Sequence, residues 1–160
     1  MIRASSKAAW LALALVSTPA ISQPLWQNVE AGMTAEQVRS LYPDAKQRPD
    51  KTEIKGFRPL ADCPANVHIM HPAGKVIEIF VRGKGSLGGG CSAKIMDALV
   101  AKYGMPLTKD TALPDSYLES RTMIWSKDGV MIRFEKMDGQ GLIGTDWEMT
   151  YSTISKEVGL

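Results

Sequence analysis

Gly32-Met33-Thr34-Ala35-Glu36-Gln37-Val38-Arg39-Ser40-Leu41-Tyr42-Pro43 reads as a short capped helix, and the rest of the chain is organised around it. Thr34 is placed to accept the orphan N–H groups of the first turn, and Gln37, three residues on, completes a capping box. Val38 and Leu41 fall on one face at i, i+3, while Glu36 and Arg39 point away from it. Pro43 cannot continue the helix. The pattern returns as Gly90-Cys91-Ser92-Ala93-Lys94-Ile95-Met96-Asp97-Ala98-Leu99, with Ser92 in the place of Thr34, Met96 of Val38 and Leu99 of Leu41. Each copy runs to a Tyr and a Pro, Tyr42-Pro43 in one and Tyr103-Gly104-Met105-Pro106 in the other. A two-strand signal follows each. The expected fold is therefore α+β with two related halves, about 26–82 and 90–153. Each half is a short helix followed by an antiparallel β-hairpin, with the helices packed on one face of the sheet.

The strand signals set the expected faces. Val67 and Ile69 alternate with His68 and Met70, and Ile77, Ile79 and Val81 alternate with Glu78, Phe80 and Arg82. Pro72 suits the first central position of a type I turn, with Gly74 at the left-handed position of a bulged three-residue hairpin. That register pairs Ile69 with Ile77 and Val67 with Ile79. Lys127-Asp128-Gly129 is read in the same way, between Thr122–Ser126 and Val130–Phe134, and Trp147, Met149 and Tyr151 mark a final strand. Gly104 is placed to end the second helix in the left-handed conformation. Residues 44–59 suit either an edge strand or a long loop. The stretches 83–90, 107–116 and 137–144 read as connectors.

With bulged turns in both hairpins, Ile69, Ile77, Ile124 and Ile132 enter the core. The opposite face then carries Met70, Val76, Phe80, Met123, Trp125, Met131 and Arg133. Aromatics, Met and Arg are what the centres of protein interfaces are rich in. Phe80, Met123, Trp125, Met131 and Arg133 are accordingly the expected partner-binding residues. The alternatives are that a register slip of one residue turns Trp125 inward, or that another segment covers this face.

The first 22 residues have the form of a cleaved export signal. Arg3 and Lys7 begin it, Ala8 to Val16 is apolar, and Ala20 and Ser22 stand before Gln23. The apolar run is too short to span a bilayer, which takes about 20 such residues. Residues 23–160 are then expected to form one soluble domain, periplasmic or secreted, neither membrane-spanning nor lipidated. Two of the 19 Lys and Arg and none of the 17 Asp and Glu lie in the signal, so the remainder carries 17 of each. A neutral chain is not built for nucleic acid.

Cys63 and Cys91 are the only two cysteines. In an exported chain they are expected to form a disulfide, worth about 3–4 kcal/mol by chain entropy. No Cys-x-x-Cys suggests redox chemistry, and neither Cys has a ligand partner at zinc spacing. His68 and His71, the only histidines, point to opposite faces of a strand and cannot readily share a metal. The run Gly83-Lys84-Gly85-Ser86-Leu87-Gly88-Gly89-Gly90 lacks the Gly-Lys-Ser/Thr that a phosphate loop needs at the helix start. No nucleophile elbow and no Cys/His/Asn set is present. No catalytic residue, metal ligand or cofactor is assigned.

The stretch Val29-x-x-Gly32-Met33-Thr34-x-x-x-Val38, with Tyr103-Gly104-Met105-Pro106, resembles the small outer-membrane assembly lipoproteins of the SmpA/OmlA type. It is also similar to the β-lactamase inhibitor proteins. The resemblance implies short helices against an antiparallel sheet and a function exercised by binding other proteins. The lipoproteins carry a Cys at the mature N-terminus where this chain has Gln23, so membrane anchoring is not implied. The expected function is a non-enzymatic protein-binding or envelope-assembly module acting through the open sheet face, its partner another envelope or secreted protein. The alternative is a small periplasmic hydrolase or ligand-binding protein with a cleft between the halves.

The cysteine reading has a direct test. Iodoacetamide treatment of denatured, unreduced protein is expected to label neither Cys63 nor Cys91, and labelling of both would contradict the bond.

Overall fold

The computed structural model describes residues 24–58, 60–84, 90–112, 118–139 and 146–154. The expected signal segment lies outside them. A small hairpin opens the structure, β1 (Pro24–Trp26) and β2 (Val29–Glu30), followed by α1 (Ala35–Leu41). The strands β3 (Lys46–Gln47), β4 (Lys51–Phe57), β5 (Ala65–Met70) and β6 (Glu78–Lys84) come next. Then α2 (Gly90–Tyr103) leads into β7 (Leu107–Ala112), β8 (Leu118–Lys127), β9 (Val130–Gly139) and β10 (Asp146–Thr153).

This is a mainly β structure, with two helices among its described residues, and not the expected α+β pair of helix-plus-hairpin halves. The strands after both helices join one antiparallel sheet in the order β3-β4-β5-β6-β10-β9-β8-β7, seven longer strands and the two-residue β3. The two hairpins foreseen in the sequence lie within it. What the expectation missed were the polar strands at both edges. β3 and β4 occupy the stretch left open between strand and loop, and β7 occupies one read as a loop. Their residues alternate too weakly to announce themselves, and sheet pairing with a neighbour decides their conformation.

Helix α1 begins as the sequence requires. Gln37 N–H donates to Thr34 Oγ1 at 3.3 Å and Thr34 N–H to Gln37 Oε1 at 2.8 Å, a complete capping box. Ser92, by contrast, is not the cap of α2. That helix starts at Gly90, so Ser92 sits buried inside its first turn. At the other end Gly104 adopts φ 83° and its N–H donates to Val100 O at 2.8 Å. Cys63 and Cys91 form the expected disulfide, with Cα atoms 5.7 Å apart, tying the turn after β4 to the start of α2.

The two hairpins depart from the expected registers in different ways. In the first, Ile69 pairs with Ile79 and Val67 with Val81. The cause is that Lys75 and Val76 leave the hairpin to pair with the segment before α1. Gly32 N–H donates to Val76 O at 2.7 Å and Val76 N–H to Met33 O at 2.8 Å. The shift is by two residues, so the inward set survives, but Ile77 stands 53% exposed and Val76 is buried rather than outward. In the second hairpin Lys127 pairs with Val130, leaving Asp128 and Gly129 as a two-residue loop with φ 52° and 78°. Two positive φ values are the mark of a type I′ turn, for which Asp-Gly is a favoured pair. This register differs by one residue from the bulged one and turns every side chain of β8 over.

The core lies on one face of the sheet. Val67, Ile69, Ile79, Val81, Trp147, Met149, Tyr151, Phe134 and Ile132 are buried there with Val38 of α1 and Ile95 and Leu99 of α2. The β1–β2 hairpin lies against β6 and β10, with Trp26 edge-on to Phe57 at 5.2 Å and stacked near Tyr42. Burial of a large apolar side chain of this kind is worth about 1.5–3 kcal/mol. Two buried groups have special constraints. Thr52 gives its hydroxyl proton to Gln47 Oε1 at 2.7 Å, so His71 Nε2–H is the donor in the 3.1 Å contact between them. Gly83 faces Trp147 across the β6–β10 ladder, and a Cβ at this position would overlap the indole ring.

Gly83→Ala is therefore expected to cost at least about 2 kcal/mol of unfolding free energy in urea, because the fully buried Trp147 has nowhere to retreat. A wild-type melting curve would show that the ring has room.

Candidate functional site

The site is built on the sheet face turned away from the helices. Residues directly opposite in an antiparallel ladder share a face, so the pairing lists the surface strand by strand. One row runs Glu53, His68, Phe80, Thr150, Arg133, Ile124 and Leu107 across seven strands. A second runs Lys51, Met70, Glu78, Ser152, Met131 and Ser126 beside it. A third carries Asn66, Arg82, Glu148, Glu135 and Thr122. Met70, Phe80, Ile124 and Met131 are partly exposed and lie outside the core cluster, and Leu107 at the far edge is 67% exposed.

Of the expected partner-binding residues, Phe80, Met131 and Arg133 stand on this face and are half-buried. Trp125 and Met123 do not. They are 3% and 5% exposed, opposite Ile132 and Phe134 on the core side. The Asp128-Gly129 turn is the reason, since its one-residue shorter loop exchanges Trp125 for Ile124. Trp125 is anchored inside, its Nε1–H donating to Gly104 O at 2.8 Å and closing the C-terminal end of α2. Ile124 and Leu107 are face residues that sequence reasoning assigned elsewhere, one to the core and one to a connector. The signal that finds Ile124 is the dipeptide Asp128-Gly129 itself. His68 meets Phe80 and Glu53 across the ladder.

The face is apolar in patches and charged in pairs. Arg82 is paired with Glu148 and also lies 5.6 Å from the centre of the Phe80 ring. Arg133 meets Glu135 at 3.5 Å, and Glu53 holds both Arg48 at 2.8 Å and Lys51 at 3.1 Å. The hydrogen bond from Lys51, helped by Arg48, lowers the Glu53 carboxyl below its ordinary value. Glu78 moves the other way because partial burial penalises its charge more than Arg133 relieves it. At the centre Thr150 is only 3% exposed. Exposed ion pairs contribute little to stability, so these are better understood as features of the surface than of the fold.

Among the described residues, no group of three or more His, Cys, Asp and Glu is placed to hold a metal ion. The Thr52–His71 contact has the spacing of a nucleophile and base, but both side chains are buried and the hydroxyl proton already belongs to Gln47. No described helix is long and apolar enough to cross a membrane. Compared with protein-family models, with curated proteins and with solved structures, the chain matches none.

His68 gives this face a pH signature. Partial burial, then Lys51 nearby, lowers its imidazole below the ordinary 6.5, against the pull of Glu53. The folded state thus prefers the neutral ring, and the unfolded chain takes up the proton first. The stability tied to His68 is complete above pH 6.5 and is lost as pH falls from there through the folded midpoint. An NMR titration of the His68 ring is expected to show the depressed midpoint, and His68→Gln to remove that part of the acid slope.

Proposed function

We propose that this chain is an exported protein-binding or envelope-assembly module, periplasmic or secreted, which docks another envelope or secreted protein on its open sheet face. One observation carries the reading. Met70, Phe80, Ile124 and Met131 lie outside the core on the face opposite the helices, interleaved with Arg82 and Arg133. A sheet that only needed to fold would be served by polar residues there. Exposed apolar groups rimmed by paired charges are the usual surface of an interaction site. The Cys63–Cys91 disulfide suits an oxidising compartment. The likeness of the Gly32–Val38 and Tyr103–Pro106 stretches to envelope-assembly lipoproteins and to β-lactamase inhibitor proteins points the same way.

The test uses the immobilised protein as bait in envelope extract, with three variants beside the wild type. Phe80→Ser and Arg133→Glu alter the face, and Glu36→Lys alters the exposed side of α1. A specific partner is expected to be held by wild type and Glu36→Lys and to bind both face variants about 30-fold more weakly, the effect of about 2 kcal/mol at an interface centre. All four proteins should melt together. Capture of that partner by both face variants at wild-type strength would overturn the docking face.

A further inference from the structure

The other side of the molecule holds a cleft that the docking face does not use. Two adjoining cavities lie between β1, the C-terminal end of α2 and β10. The inner one, about 280 Å³, is lined by Leu25, Trp26, Leu60, Tyr103 and Tyr151, among others. The outer one, about 210 Å³, reaches Lys127, Asp128 and Ile132. Pro24, Leu25, Lys102 and Tyr103 belong to both, so the two form one continuous concavity. Its combined size suits a small molecule.

Three observations give the cleft a chemistry. First, Leu25, Trp26 and Tyr103 give its wall an apolar stretch, with Trp26 packed against Tyr42 and Phe57. Second, the ammonium groups of Lys102 and Lys127 converge on the Tyr103 ring, 5.0 and 5.9 Å from its centre. Neither lysine has a salt bridge among the described residues, and Asp128 in the turn offsets only one of the two charges. Third, the nearly buried Tyr151 lines the inner cavity, and the only partner of its hydroxyl among the described residues is the sulfur of Met149 at 3.8 Å. A thioether is a weak acceptor, so a buried polar group is left poorly satisfied in a cavity wall. Burial and the adjacent Tyr103 raise the Tyr151 phenol above its ordinary value, so it remains a neutral donor.

We propose that this cleft binds a small amphipathic anion, a flat apolar body ending in a carboxylate or sulfonate. The body lies against Leu25, Trp26 and Tyr103, the charge is answered by Lys102 and Lys127, and Tyr151 offers its hydroxyl to an oxygen of the ligand. The charge pattern excludes a cation, and the aromatic walls disfavour a bare inorganic anion, which would gain nothing from them. Two lysines without a carboxylate partner repel each other when the cleft is empty, and an anion removes that repulsion.

Calorimetric titration of the full-length protein with 2-naphthoate, and with 2-naphthalenemethanol as its neutral counterpart, tests this. Saturable one-to-one binding of naphthoate is expected, at least tenfold tighter than the alcohol at low salt and weakening as salt is added. The double variant Lys102→Met, Lys127→Met is expected to lose this preference while still binding the alcohol. Tyr151→Phe should weaken naphthoate several-fold without changing the salt dependence. Phe80→Ser, on the opposite face, should leave both ligands unaffected, which separates this site from the docking surface. Absence of saturable naphthoate binding to wild type, or naphthoate affinity undiminished in the lysine double variant, would overturn the proposal.

Discussion

The pairing of β6 with β10 is the contact on which the rest of this protein depends. Every other neighbouring pair in the sheet joins strands that follow one another in the chain, from β3 to β6 and from β7 to β10. Only this pair joins the strands before α2 to the strands after it. Its ladder matches seven residues, from Ser152 opposite Glu78 to Asp146 opposite Lys84. The inward positions along it are Ile79, Val81, Trp147, Met149 and Tyr151, so the thickest part of the core sits on the join. The Trp147 indole fits because Gly83 has no side chain, a local economy that makes one backbone position intolerant of even a methyl group. Helix α2 is tied to both sides of the join, through the disulfide from Cys91 to Cys63 and through the hydrogen bond from Trp125 to Gly104.

A sheet held in this way has two faces with different tasks. One is closed by two helices and a small hairpin and retains a cleft where the hairpin meets the end of α2. The other is left to its own side chains, and these are neither uniformly polar nor fully apolar. Phe80 shares its surface with the guanidinium of Arg82, and Thr150 between Phe80 and Arg133 is buried. This mixture of half-buried apolar groups and paired charges is what the docking proposal rests on.

Much of this was legible in the sequence, and the failures have particular causes. The capping box at Thr34, the end of α2 at Gly104 and the disulfide were all readable, because each depends on residues close together or on a chemistry with few alternatives. Phe80, Met131 and Arg133 were placed on the open face for the right reason, strand alternation. Trp125 and Met123 were misplaced because alternation fixes which residues travel together and not which way they turn. That choice belonged to the turn. Asp128-Gly129 was read by analogy with Pro72-Ala73-Gly74, although Pro72 forbids the primed turn that Asp-Gly favours. The first hairpin kept its faces only because the intrusion of Lys75 and Val76 moved it by an even number of residues. In sequence the β3–β4 edge stays open between strand and loop and β7 reads as a connector, since these polar strands take their conformation from the neighbours they pair with.

The position of β10 has one more consequence. It is the last of the described strands, yet it lies in the middle of the sheet. During synthesis or refolding, β3 to β6 and β7 to β9 can each zip up from local turns within microseconds to milliseconds, but they gain no common core until the final strand arrives. Closing the loop between Arg82 and Glu148, 66 residues apart, is the slow entropic step, and it comes late. The sheet therefore gains its cooperativity only once β10 has paired with both β6 and β9. A C-terminal nick that would merely fray most domains would here divide the sheet down its centre.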